Sequence, residues 1–221
     1  MSRLVRGLFD DDRVVVLTAP IEDAAVAKLS DAEAAAIPRA RDKRRREYAT
    51  GRMLAREGLE RCFGVRGFDL LDGEDRAPIW PEGVAGSISH CDTRAWVALA
   101  PREWGTVGID GEHRRELKRE LWRHTLLPRE IEALDALDPS VRGRRALACF
   151  SAKEALYKAQ YPRSEKFMGF MALHVALEGE RVVCTFQETV GPYPEGFVAH
   201  GRWRVTDSGE ILTAVWIPEA S

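Results

Sequence analysis

Cysteine is scarce in this 221-residue chain and is not arranged for chemistry: Cys62, Cys91, Cys149 and Cys184 form no C-x-x-C pair. Neither a disulfide framework nor a zinc site is indicated, which suits a reducing cytoplasm. No apolar run approaches the ~20 residues of a membrane-spanning helix. The opening stretch MSRLVRGLFDDDR carries acidic residues where a secretion signal needs an apolar run. A cytoplasmic protein that does not enter a membrane is therefore expected. An excess of either charge is missing too: Lys+Arg number 33 against 35 Asp+Glu, a net charge of -2. That balance argues against a general polyanion binder and directs attention to local charge. There is no P-loop or kinase-type glycine motif, no internal repeat and no low-complexity segment. The length allows one sizeable domain or two small ones, and composition does not separate these cases.

What is present begins with residues 13–18, RVVVLT, a β-branched run ended by Ala-Pro that reads as a buried strand. Ser30 followed by Glu33 is a capping-box pattern, and the helix it opens should stop before Pro38. Residues 39–64 read as a longer helix with Tyr48, Ala55, Leu59 and Cys62 on one side. On a neighbouring side Arg41, Arg45, Arg52 and Arg56 recur at spacings of four, seven and four. Two readings stand here: a solvated face with Glu47, Glu57 and Glu60 as counter-ions, or a face that binds phosphate. Tyr48 among the arginines keeps nucleic acid open as well. Residues 70–81, LLDGEDRAPIWP, form a turn-rich loop suited to a rigid platform, with Trp80 as a flat surface. Residues 84–89 and 95–100 read as a hairpin, with His90 at the end of its first strand. PREWG at 101–105 breaks the pattern and divides the chain into halves, 1–104 and 105–221.

In residues 106–112, TVGIDGE, Val107 and Ile109 alternate with Gly108 and Asp110, as in a strand with one buried face. The alternation puts Asp110 and Glu112 side by side. Two such carboxylates repel unless a cation sits between them, and oxygen-only ligands favour a hard ion such as Mg²⁺. Residues 113–121 and 128–137 look helical and lead into a helix over 141–161. In that helix Ala148, Ala152, Ala155 and Ala159 make a stripe of small residues for close packing, and Glu154 and Lys158 lie one turn apart beside it. Taken alone, that pair reads as an ordinary Glu-to-Lys helix contact. Residues 172–177, 181–188, 197–205 and 211–217 read as successive antiparallel strands, with turns at Glu178-Gly179 and Asp207-Ser208-Gly209. The fold class is α+β.

Three motifs stand in a specific order: G-S-I-S-H at 86–90, G-I-D-G-E at 108–112 and F-S-A-K-E-A-L-Y-K at 150–158. Together they resemble the 4'-phosphopantetheinyl transferase superfamily, most closely the type that activates enterobactin and surfactin synthetases. R-R-R-E-Y-x-x-G-R at 44–52 and R-A-P-I-W-P at 76–81 are similar to that group too. The resemblance runs from near Arg39 to the last strand.

The resemblance implies a pseudo-dimer of two similar halves with coenzyme A in the cleft between them. It implies Asp110, Glu112 and Glu154 as ligands of Mg²⁺, with Mn²⁺ as a substitute, and Lys158 at the pyrophosphate. Arg44, Arg52 and His90 would bind phosphates of coenzyme A, with Arg45 and Ser89 as weaker carry-overs, and Lys153 would lie close to the metal. Arg76 to Pro78 would hold the adenine. The implied reaction passes 4'-phosphopantetheine to a serine of an apo acyl or peptidyl carrier protein and releases 3',5'-ADP. Asp110, Glu154 and Lys158 would be catalytic, the serine proton passing to Glu154 directly or through a water on the metal. The protein is expected to act as a monomer, with carriers met around residues 166–170. The chain departs from the family at Gly111, where relatives often carry a larger side chain, and at R-A-P, where many have a G-K-P-like sequence. Two other classes share parts of the pattern: a nucleic-acid-binding module using the arginine face, and another Mg²⁺-dependent phosphoryl-transfer enzyme.

Overall fold

The computed structural model describes residues 2–9, 11, 13–113 and 116–219. The chain divides into two compact units, Met1–Gly105 with Glu219–Ser221, and Thr106–Pro218.

The first unit opens with β1 (Arg3–Leu4) and β2 (Val15–Pro20). β1 pairs with Leu17 and Thr18, so among the described residues Pro20, two residues further along, has no ladder partner on that side and its missing N–H is tolerated. The strand therefore runs past Thr18. A 3₁₀ turn, Asp23–Lys28, precedes α1 (Asp31–Ala36), where the expected capping box forms: Ser30 accepts from the Glu33 backbone and Glu33 accepts from the Ser30 backbone. The long helix α2 (Asp42–Phe63) ends at Gly64, whose φ of 68° supplies the left-handed turn that closes a helix. The expected hairpin is β3 (Val84–His90) with β4 (Arg94–Pro101), in a register that sets Ser89 opposite Trp96. The sheet order is β1-β2-β4-β3, all antiparallel, with α2 packed on β4, β2 and β3. Leu54, Ala55 and Leu59 from the helix and Leu17, Val97 and Leu99 from the strands are in its core.

In the second unit β5 (Gly105–Glu112) is followed by α3 (Arg119–Thr125), α4 (Pro128–Asp135) and α5 (Pro139–Ser164). The helix expected over 113–121 starts later than that. Leu117 donates its N–H to the Gly143 carbonyl and accepts from the Trp122 indole, so its backbone is used to tie the chain to α5 instead of winding. Arg114 and Arg115, also within that expectation, lie outside the described residues. α5 opens with Pro139 after Asp138, whose carboxylate caps Ser140, and keeps Pro162 within its final turn. Four strands follow, β6 (Leu173–Glu178), β7 (Arg181–Phe186), β8 (Val198–Val205) and β9 (Ile211–Pro218). The sheet order is β5-β9-β8-β7-β6.

β5 is buried along its whole length except at Glu112, not on one face only. The reason is α5. A Cβ on Gly108 would overlap the Ala155 carbonyl and stand 2.9 Å from the Ala159 nitrogen, so the helix backbone rests directly on the strand. The stripe Ala148, Ala152, Ala155 and Ala159 is wholly buried, as close approach requires. No helix among the described residues is long and apolar enough to cross a membrane. α+β is thus the observed class, each unit an antiparallel sheet carrying one long helix.

Candidate functional site

The close seat of α5 on β5 sets the polar groups of the second unit. Lys158 reaches β5 and donates to the Ile109 carbonyl at 3.0 Å and to Asp110 Oδ1 at 2.7 Å. Asp110 is buried, and Lys158 is about one quarter exposed at 27%. Glu154, one turn before, has its pKa raised: burial is the larger cause and the Asp110 charge adds to it, while Lys158 opposes. Asp110, Glu154 and Lys158 therefore form one electrostatic group at the strand–helix contact. Glu112, on the same face of β5 as Asp110, is half-buried. Among the described residues no three His, Cys, Asp or Glu side chains gather as a ready metal cluster.

Lys153 faces elsewhere. Its ammonium is buried, bonded to Glu130 Oε2 at 2.7 Å and to the Phe170 carbonyl at 3.0 Å. Burial pulls its pKa down, and the neighbouring Glu130 charge works against that. Glu130 also accepts from the Leu127 and Val175 backbones, each at 2.6 Å, so one carboxylate joins α4, α5 and β6. The sequence reading missed Glu130. Its one signal is an acidic residue three places after Leu127, in the first turn of a helix that starts with proline. Beside this pair a pocket of about 290 Å³ is lined by Glu154, Tyr157, Phe167, Met168, Phe170 and Leu173 among others. Phe167 at its edge is 84% exposed, whereas Phe170 packs its ring against Phe150.

In the first unit Arg44 and His90 come together, with Arg44 Nη1 at 3.1 Å from His90 Nε2. His90 Nδ1 lies 3.8 Å from the buried Glu47, and Lys43 bonds Asp92 at 2.5 Å close by. Ser89, one residue before His90 on β3, is buried. The arginines of α2 do not make one continuous basic face. Arg41 and Arg44 are exposed, but Arg56 binds Glu33 and the Lys28 carbonyl, and Arg52 is buried with its guanidinium bonded to the Leu70 carbonyl and to Asp72. Counter-ions drawn from other segments, Glu33 and Asp72, are used where sequence pointed to Glu47, Glu57 and Glu60. Arg76 lies in the 70–81 loop with a φ of 66°, and Pro78 bridges Asp72 in the same loop. Trp80 is no open platform: its ring lies against Gly86 of β3, where a Cβ would stand 2.7 Å from ring atom Cδ2.

Comparison with known proteins gives a consistent result. The 4'-phosphopantetheinyl transferase N-terminal domain family matches residues 32–100, and the 4'-phosphopantetheinyl transferase superfamily matches residues 106–206. The 4'-phosphopantetheinyl transferase Npt of Nocardia iowensis is 34% identical over 201 residues, covering 85% of this chain and 89% of its own. The 4'-phosphopantetheinyl transferase Svp of Streptomyces mobaraensis is 36% identical over 203 residues, 87% of this chain and 80% of its own. Enterobactin synthase component D of Escherichia coli is 32% identical over 167 residues, 75% of this chain and 74% of its own.

Proposed function

The chain belongs to the 4'-phosphopantetheinyl transferase superfamily, and from that premise we propose that it transfers 4'-phosphopantetheine from coenzyme A to a serine of apo carrier proteins. The observation that carries this reading is the Asp110, Glu154 and Lys158 group, held at a backbone-to-backbone contact by Gly108 and Ala155. The carriers belong to fatty-acid, polyketide or nonribosomal-peptide synthases, siderophore assembly included.

In this proposal Asp110 and Glu154 would hold Mg²⁺, with Glu112 as the third protein oxygen donor. The donor set fits: it is oxygen only, and burial, to which the Asp110 charge adds, disfavours the charged Glu154 carboxylate in the way a divalent cation offsets. The bound ion would neutralise charge on pyrophosphate oxygens, leaving several of its positions to substrate and water. Glu154, at the strand–helix contact, is placed to accept the serine proton, directly or through a water. The serine oxygen bonds to the β-phosphorus of coenzyme A as the bond from that phosphorus to the leaving 3',5'-ADP breaks. Lys158 offsets the charge that builds on the leaving group. The mostly apolar pocket beside Glu154 suits the uncharged pantetheine arm. Arg44 and His90 are assigned to phosphates of coenzyme A, and the loop of Arg76 and Pro78 to its adenine. Lys153 serves by fixing α5 through Glu130.

Incubation with coenzyme A, Mg²⁺ and apo carriers from the three synthase classes tests the proposal. Each modified carrier should gain the mass of one phosphopantetheine, with one 3',5'-ADP released. Coenzyme A cleavage in the absence of a carrier, or no mass gain on any carrier, contradicts it.

A further inference from the structure

We propose that Arg52 and Asp72 are positioning residues that clamp the 70–81 loop to α2, so that Arg52 acts on coenzyme A through this loop without touching a phosphate. The inference rests on the function proposed above, in which the loop holds the adenine.

The loop is a small hydrogen-bonded body. Gly73 donates to the Ala77 carbonyl at 2.8 Å, Arg76 to Gly73 at 2.9 Å and Ile79 to Leu71 at 2.9 Å, and Asp72 bridges Pro78. Near its tip Arg76 takes a φ of 66°, a region that is strained for a non-glycine residue and persists only where the surroundings impose it. The surroundings act at the stem. Arg52 Nε donates to the Leu70 carbonyl at 2.7 Å and its Nη2 meets Asp72, so the guanidinium binds the segment entering the loop at two points. On the other side of Leu70, the Glu33 carboxylate accepts the Leu70 N–H at 3.3 Å, and Arg56 fixes Glu33. The Arg52 guanidinium also stacks 4.1 Å over the Tyr48 ring, and its side chain is only 5% exposed. With Nε and Nη2 committed and one face covered, Arg52 is built as an internal brace. The exposed Arg44, beside His90, is a cation of this helix that is open to an anionic ligand.

Four measurements on the full chain test this: KM and kcat for coenzyme A, KM for 3'-dephospho-coenzyme A, and amide hydrogen exchange at Gly73, Arg76 and Ile79. They are made on wild type, Asp72→Ala and Arg52→Lys. Lysine keeps the charge but cannot bridge two acceptors as a fork does. Both variants should raise KM about tenfold, by the same factor for both substrates, with kcat reduced about twofold or less. Exchange at the three amides should speed up in parallel. Asp72→Ala keeps the test decisive if Arg52→Lys folds poorly. A KM rise confined to coenzyme A, with 3'-dephospho-coenzyme A unaffected, overturns the proposal and returns Arg52 to the ribose phosphate. Unchanged loop exchange overturns it as well. If wild type transfers nothing to any carrier, the proposed function fails and the exchange data alone decide whether the clamp exists.

Discussion

Each unit lays one long helix across an antiparallel sheet, and the two differ in where the glycine at the contact sits. In the first unit the glycines are on the helix: Cβ atoms at Gly51 and Gly58 would meet the side chains of Ile88, Leu99 and Leu17. In the second unit the glycine is on the strand, and a Cβ at Gly108 would meet the α5 backbone at Ala155 and Ala159. So α2 rides on side chains, while α5 rests on bare strand. The distance between backbones decides what polar side chains can reach. On α5, Glu154 and Lys158 are brought to Asp110 of the strand beneath. On α2, Arg52 and Arg56 reach away from the sheet, to Asp72 and Glu33 of the flanking segments. One contact concentrates charge, and the other distributes it as bracing.

The sharpest way to break the comparison is to add the same methyl group on both sides. Gly108→Ala should destabilise the protein by about 3 kcal/mol or more, because backbone cannot step aside. Gly58→Ala should cost about 1 kcal/mol or less, since the atom it meets first is the end of the Leu99 side chain. Urea denaturation monitored by circular dichroism measures both, and equal losses would erase the distinction. Glu130→Ala comes next. It strands the buried Lys153 ammonium and two backbone N–H groups, for an expected loss of about 3 kcal/mol in the same measurement. A loss under about 1 kcal/mol would show the pair to be dispensable. Lys158→Ala, which takes the ammonium partner from the buried Asp110, should cost about 1–2 kcal/mol of stability and slow carrier modification about a hundredfold in single-turnover kinetics. The smallest effect is expected at the rim of the pocket. Phe167→Ala should raise KM for the carrier about threefold and leave KM for coenzyme A alone, and identical constants would remove that side chain from carrier docking.

Elements with local signals were legible in sequence. The Ser30–Glu33 capping box, the Gly64 stop, the β3–β4 hairpin and the four closing strands each depend on residues within a few positions of one another. The motif order was legible enough to point to the family. What was hidden depends on distant partners. β5 read as half-exposed because the helix covering it comes more than forty residues later. The arginine stripe read as one face because its neutralising partners, Glu33 and Asp72, come from α1 and the 70–81 loop. The resemblance places Lys153 close to the metal, while its bond to Glu130, 23 residues earlier, leaves no sign in the local pattern. β1, two residues long, leaves no pattern to read.

In the proposed function, the carboxylate group where α5 rests on β5 runs the transfer. Phosphopantetheine gain on an apo carrier, followed by mass in wild type and Glu154→Gln across a range of Mg²⁺ concentrations, tests it most directly. Wild type should work with Mg²⁺ and stop in chelator, while folded Glu154→Gln should transfer nothing measurable at any Mg²⁺ concentration. Wild-type transfer that persists in chelator, or a Glu154→Gln variant that modifies carrier at the wild-type rate, would contradict it.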